Sequence, residues 1–276
     1  MSLAHLQRTF TSTNLTQLLS RQKVPEIRAV AKSCGVLMGG RKDEVIQRIV
    51  DSMLEAQKPC QSVLSFDLGY RNLAFCHINQ DATVLDWARV DLKLSEFHPS
   101  TMAPIVRKFL AERVEENLKT SDVVIAERQR ARSCGAKEVL EHILRVTAVE
   151  GMLWSGLHET AERLKKSELT FVAQGRQQVD VSLADDLQAV MNDDVMRFAK
   201  IKRPGYAKKQ ASISLVQKWL YDVEKPPIHV SDELKMMFAQ ESKKDDLSDC
   251  LLQAVVWYKW RDFRRNYANL LLATEI

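Results

Sequence analysis

Apolar residues recur at two spacings along this chain, and the change from one to the other marks its parts. Between 62 and 92 short runs dominate: Val63, Leu64 and Phe66, then 73–78, then 83–92, with Asp67-Leu68-Gly69-Tyr70-Arg71-Asn72 between the first two. Runs of this length, bounded by glycine and polar residues, predict three strands, the first two forming a hairpin. From 99 to 118 the spacing turns helical, with Met102, Ile105, Val106, Phe109, Leu110 and Val114 sharing a side. Residues 122–127 are short, apolar and end in Glu127, which predicts a buried parallel strand. A long helix is expected over 136–164, a fifth strand over 169–174, and helices over 206–221, 232–240 and 245–272, with Pro226-Pro227 breaking the chain between. The order β-β-β-α-β-α-β-α predicts an α/β fold, a mixed sheet with helices on its faces. Ahead of it, Ile27, Val30 and Ala31 follow Pro25, and Val45, Ile46, Ile49 and Met53 follow a Gly39-Gly40 pair. They predict two short helices, with Gly35 where the first would be capped. Residues 175–205 show no clear period. Their first part is acidic (Asp180, Asp185, Asp186, Asp193, Asp194) and the stretch after it basic (Arg197, Lys200, Lys202, Arg203, Lys208, Lys209), which is read as an insertion with a DNA-facing end, the plainer reading being a solvated charge run.

Composition changes this picture in three places. With 276 residues and 45% hydrophobic content, the chain can bury one large core and a small second one. No apolar run approaches the ~20 residues that span a bilayer, so no membrane partner is expected. The five cysteines are scattered and never spaced as Cys-x-x-Cys, which argues for a reducing compartment and against zinc. The net charge of +4 sits at the front: residues 1–58 hold nine Lys/Arg against five Asp/Glu, and the rest of the chain is balanced. Residues 1–23 contain no acid, three basic residues and many hydroxyls. That is the composition of a mitochondrial targeting segment, and a matrix location follows from it. The plainer reading is a short amphipathic helix whose Leu15, Leu18 and Leu19 pack locally. The expected divisions are therefore 1–23, 24–57 and 62–276.

Candidate chemistry rests on carboxylates. Asp67 ends the first strand, where strand propensity disfavours it, so it has either a turn role or a chemical one. Glu127 ends the fourth strand, and Asp245, Asp246 and Asp249 open the last helix. The element order resembles the ribonuclease H-like arrangement, in which strands one and four are neighbours and Asp67 and Glu127 would emerge side by side. On the helix, Asp246 and Asp249 share a face, as do Asp245 and Asp249. Four converging carboxylates call for a cation, and hard oxygen ligands favour magnesium. Two such ions would suit an in-line phosphodiester displacement. Each residue also has a duller explanation, Asp245 and Asp246 as N-terminal caps complementing the helix dipole. An actin-type ATPase shares the Asp-Leu-Gly hairpin but needs further phosphate-binding motifs that are absent after Leu169, and no small-molecule substrate is expected.

Three segments carry a closer resemblance: Asp-Leu-Gly-Tyr-Arg-Asn-Leu-Ala at 67–74, Ile-Ala-Glu-Arg-Gln-Arg-Ala-Arg at 125–132, and Lys-Lys-Asp-Asp-Leu-Ser-Asp-Cys-Leu-Leu at 243–252. They resemble the fungal mitochondrial Holliday-junction resolvases, which belong with bacterial RuvC among ribonuclease H-like nucleases. The resemblance implies Asp67, Glu127, Asp246 and Asp249 as catalytic metal ligands, with Asp245 as alternate to Asp246. It implies a magnesium-dependent homodimer, with manganese as an acceptable substitute, that cuts opposed strands of a four-way DNA junction. Residues 24–57 resemble a SAP-type DNA-binding hairpin, with Arg41 and Lys42 near its turn; the plainer reading is a hairpin docked on the main domain. Arg128, Arg130, Arg132, Lys208 and Lys209 are candidates for phosphate contacts. Tyr70 is a candidate to stack on an unpaired base, with a packing role as the plainer reading. A basic face on the last helix (Lys259, Arg261, Arg264, Arg265) is expected to be solvated. The competing functional readings are a non-catalytic junction-binding protein and a less selective nuclease of the same fold.

Overall fold

The computed structural model describes residues 11–94, 96–128, 140–222, 224 and 226–273. They divide into two compact units: residues 60–176 with 185–254, and residues up to 59 with 177–184 and those from 255 onward.

The smaller unit begins with three helices, α1 (Ser12–Ser20), α2 (Val24–Ser33) and α3 (Lys42–Gln57). Their apolar faces meet in one cluster, in which Leu15, Leu18 and Leu19 of α1 are buried with Ile27, Val30, Ile46, Ile49 and Met53. Residues 12–20 thus form part of the same core as the hairpin expected at 24–57. Ala268 and Leu271 from the end of the chain complete that core, so this unit extends beyond the expected boundary at residue 57. Helix α2 ends as its glycine predicts. Val36 N–H donates to Ala31 O and Gly35 N–H to Lys32 O, both at 3.0 Å, a pairing that needs the left-handed backbone Gly35 adopts at φ 65°. A Cβ at Gly35 would lie 2.1 Å from the Trp260 ring. The basic face expected on the last helix is only partly solvated. Arg261 and Arg264 are buried. Arg264 donates from Nε and Nη2 to Cys34 O at 2.8 and 2.6 Å, and Arg261 donates to Lys58 O. Carbonyls left over where a helix ends take up these guanidinium groups.

The larger unit is a five-stranded sheet of β1 (Ser62–Asp67), β2 (Asn72–Asn79), β3 (Val84–Asp91), β4 (Val123–Glu127) and β5 (Thr170–Gln174), in the order β3-β2-β1-β4-β5. The three hairpin-linked strands pair antiparallel, while β4 pairs parallel to β1 and to β5. The mixed sheet with β1 at its centre is the expected one. The three central strands, β2, β1 and β4, are buried on both faces, while the edge strands β3 and β5 are partly exposed. Leu64, Phe66, Phe75, Val124 and Ala126 point to a cluster supplied by α4 (Pro99–Phe109), α5 (Glu115–Thr120) and α6 (Glu141–Arg163). Between α4 and α5 the helix widens into a π turn over Leu110–Val114. The uninterrupted apolar spacing of 99–118 concealed that break. The segment that showed no period folds as α7 (Arg176–Ser182), α8 (Ala184–Asp193) and α9 (Val195–Phe198), followed by α10 (Pro204–Gln217), α11 (Asp232–Gln240) and α12 (Lys244–Ala273). Among the described residues no helix is long and apolar enough to cross a membrane.

Candidate active site

Alternation along β1 sends Leu64 and Phe66 to one face and Val63, Ser65 and Asp67 to the other. The parallel register aligns Ser65 with Ile125 and Phe66 with Ala126, so the next step on each strand sets Asp67 beside Glu127. Both are half-buried at the strand ends. The turn that follows Asp67 is tight: a Cβ on Gly69 would sit 2.4 Å from Asn72 O. Beyond it, Tyr70 packs edge-on against Phe97 at 6.4 Å, and the Arg145 guanidinium lies over both rings at 5.0 and 5.3 Å.

The same face of the sheet holds Cys76 and Trp87, which the register places opposite one another. Trp87 anchors the helical layer above it. Its indole N–H donates to Leu247 O at 3.0 Å, and its ring stacks on Phe238 of α11 at 5.0 Å. These contacts fix the first turns of α12, which carry the remaining carboxylates. Burial pushes the Cys250 thiol well above its usual pKa, and the nearby Cys76, Asp67 and Asp249 add to the effect. The charges of Asp67 and Asp249 therefore both act on one thiol. The doublet splits into two environments. Asp245 accepts from the Lys209 ammonium of α10 at 2.8 Å; burial works to raise its pKa, but the lysine prevails and holds it below the usual range. Asp246 has a buried Oδ2 with no hydrogen-bond partner among the described residues. Burial, then the neighbouring Asp245 charge, pushes its carboxyl up to about 6.

The loop before α12 is organised by one oxygen. Glu241 Oε1 accepts from Ser242 N at 2.7 Å, Ser242 Oγ at 3.1 Å and Lys243 N at 3.1 Å, and pairs with Arg89 Nη2 at 3.0 Å. Arg89 also donates to Asn72 Oδ1 at 2.7 Å, so it ties the loop before α12 to the first residue of β2. Neither Arg89 nor Glu241 stands out in the sequence as a site residue. The signal for Arg89 was present: counting by twos from Trp87 puts this arginine on an inward-facing position, where a cation needs a partner.

A family model described as "Mitochondrial resolvase Ydc2 / RNA splicing MRS1" matches residues 63–242. The chain belongs to this family. It is 28% identical over 266 residues to "Cruciform cutting endonuclease 1, mitochondrial" of Schizosaccharomyces pombe, covering 90% of this chain and 95% of that protein. It is 30% identical over 118 residues to the Saccharomyces cerevisiae protein of the same name, covering 38% and 33%. A structure described as "Crystal Structure of the Yeast Mitochondrial Holliday Junction Resolvase, Ydc2" superposes with a TM-score of 0.62 at 25% identity, covering 91% of this chain and 99% of that one. The family match includes Asp67 and Glu127 and ends just before Asp245.

Of the other residues singled out in the sequence of this family member, Arg130 and Arg132 lie outside the described residues, and Arg128 is exposed beside β5, its N–H donating to Gln174 O at 2.7 Å. Lys208 is half-buried on α10. Lys209, expected to face DNA, is held instead by Asp245, a carboxylate 36 residues further along the chain. In the small unit Lys42 donates to Ser20 O at 2.7 Å, closing the end of α1, while Arg41 stays exposed and pairs with Asp43 and Glu44 at 3.3 and 3.2 Å. Among the described residues no three His, Cys, Asp or Glu side chains are gathered into a set able to hold a metal ion. The donor chemistry nevertheless suits one: strand-end carboxylates, two helix carboxylates and a buried oxygen on Asp246 that lacks a partner.

Proposed function

We propose that this protein is a magnesium-dependent crossover junction endonuclease that resolves four-way DNA junctions by paired, symmetric incisions. Relatives named for cutting cruciforms and a related Holliday-junction resolvase support the substrate class. One observation carries the chemistry: two adjoining strand-end carboxylates share a sheet face with α12, whose Asp246 holds a buried, unpartnered oxygen. Asp67, Glu127, Asp246 and Asp249 are the residues that would hold the ions, two per active site, with manganese as a substitute. Asp246 is preferred to Asp245 because Lys209 already engages Asp245. When bound, such an ion pair activates the attacking water and stabilises the leaving oxygen of an in-line displacement.

The chain's own residues then divide the work. Gly69 keeps the turn after Asp67 tight enough for a DNA backbone to come near. Arg128, Arg130, Arg132 and Lys208 offer cations that position phosphates without reading bases. Arg41 and Lys42 of the SAP-like hairpin would add salt-dependent affinity. A homodimer would match two active sites to two scissile phosphates, and a mitochondrial matrix location follows the relatives. The family description also covers an RNA-splicing protein; retention of the full carboxylate set favours cleavage over binding alone.

The test is cleavage of a four-way junction in magnesium by Asp67→Asn and Asp249→Asn, alongside binding of the same junction. The expected result is loss of cutting with junction affinity largely kept. Undiminished cutting by both variants would overturn the proposal.

A further inference from the structure

Lys209 touches the carboxylate cluster through Asp245 yet is neither a ligand nor a loop anchor. Helix α10 fixes its position. Pro204 occupies the first turn, and Ala207, Ala211 and Leu215, spaced by four, bury one side of the helix. From there the ammonium reaches Asp245 Oδ2 at 2.8 Å, with the lysine side chain 50% exposed and the aspartate 23%. Asp249 and Asp246 also act on the same ammonium. The Lys243 charge acts on Asp245 and Asp246 as well, but Lys209 is the cation the structure pairs directly with Asp245, so a positive charge is built into the place where a divalent cation would be attracted.

We propose that Lys209 is an internal counter-ion that weakens cation binding by the free protein, so that ions load firmly only when a DNA phosphate offsets its charge. The inference rests on the carboxylates being the metal ligands. Its physical content is simple repulsion. A unit charge within one side-chain length, roughly 6 Å, of a dication changes affinity about tenfold even at the dielectric constant of water. By occupying Asp245 the lysine also leaves Asp246 as the member of the doublet open to a cation. Because coupling between two ligands is reciprocal, the same charge would make cation binding and junction binding reinforce each other. Cutting would then be confined to protein already seated on DNA.

The experiment titrates Mn²⁺ calorimetrically into the full chain without DNA, comparing wild type with Lys209→Met, Lys209→Gln and Lys209→Arg. The expected result is about tenfold tighter Mn²⁺ binding for the Met and Gln variants, and wild-type affinity for the Arg variant, which keeps the charge. In a companion measurement, Mn²⁺ should strengthen junction binding less in Lys209→Met than in wild type. Mn²⁺ affinity of Lys209→Met and Lys209→Gln within twofold of wild type, or weaker, would overturn the proposal. A lysine that only contacts DNA would give that result while lowering junction affinity. Asp246→Asn separates the two levels: if it binds Mn²⁺ as wild type does, the ligand assignment fails, whatever Lys209 does.

Discussion

Glu241 offers the sharpest test of how the site is held, because one of its oxygens organises the entry to α12. Replacing it with alanine removes the acceptor of Ser242 N, Ser242 Oγ and Lys243 N. It also strips Arg89, 18% exposed like Glu241 itself, of its ion-pair partner. Arg89 Nε already has no partner among the described residues, so a buried charge would be left still less satisfied. Burial works to raise the Glu241 pKa, but Arg89 and the two loop N–H groups overcome it and hold the carboxyl down to about 2 from an ordinary 4.5. A tenfold change in proton affinity corresponds to about 1.4 kcal/mol, which sets a ceiling of about 3 kcal/mol on what these partners contribute. Screening of the partly open pair reduces this to about 2 kcal/mol. The sign follows from a depressed carboxylate pKa: the stabilisation is full above 4.5 and is lost as pH falls towards 2. Urea unfolding of Glu241→Ala should therefore show a loss of about 2 kcal/mol at neutral pH, shrinking as the medium is acidified below the ordinary carboxylate pKa. Junction cleavage should fall by about 10²-fold, because Asp245, Asp246 and Asp249 follow directly on that loop and small displacements of reacting groups are costly. Wild-type stability and wild-type cutting together would refute the reasoning.

Two further predictions concern packing. Burial lowers the pKa of His77, against the opposing pull of its Asn117 hydrogen bond and the Asp86 and Asp122 charges. Stability should then be full above the ordinary value of 6.5 and decline as pH falls below it, a slope that unfolding measurements would find flattened in His77→Gln. Gly35→Ala places a Cβ 2.1 Å from the Trp260 ring in a left-handed backbone; a loss of about 2 kcal/mol or more is expected by thermal unfolding, and a neutral result would contradict the described cap.

The strands and the strand-end carboxylates were legible because they depend on local pattern, whereas the neighbouring of β1 and β4 came from the resemblance to the ribonuclease H-like arrangement. Short apolar runs specify β1, β2, β3, β4 and β5 within a residue or so, and Asp67 and Glu127 stand out as charges ending them. What escaped depends on partners far away in the chain. A run of basic residues without acids reads as solvated or DNA-facing, yet Lys209 finds Asp245. Arg264 looks like part of an exposed helical face, yet Cys34 O, 230 residues earlier, takes its guanidinium. Leu15, Leu18 and Leu19 suit a targeting segment and a packed helix equally by composition; only their burial against α2 and α3 distinguishes what residues 12–20 do in the fold. The doublet Asp245-Asp246 was ambiguous for a similar reason, since helical spacing puts either residue near Asp249, and the choice turns on which of them a lysine from α10 engages.

The most direct measurement is to map the cuts made by the wild-type protein in magnesium on a four-way junction and on linear duplexes of the same sequences. Paired nicks placed symmetrically in opposed strands of the junction, with the linear duplexes left intact, are the predicted result. Equal cutting of junction and duplex, or no cutting of either, would contradict it.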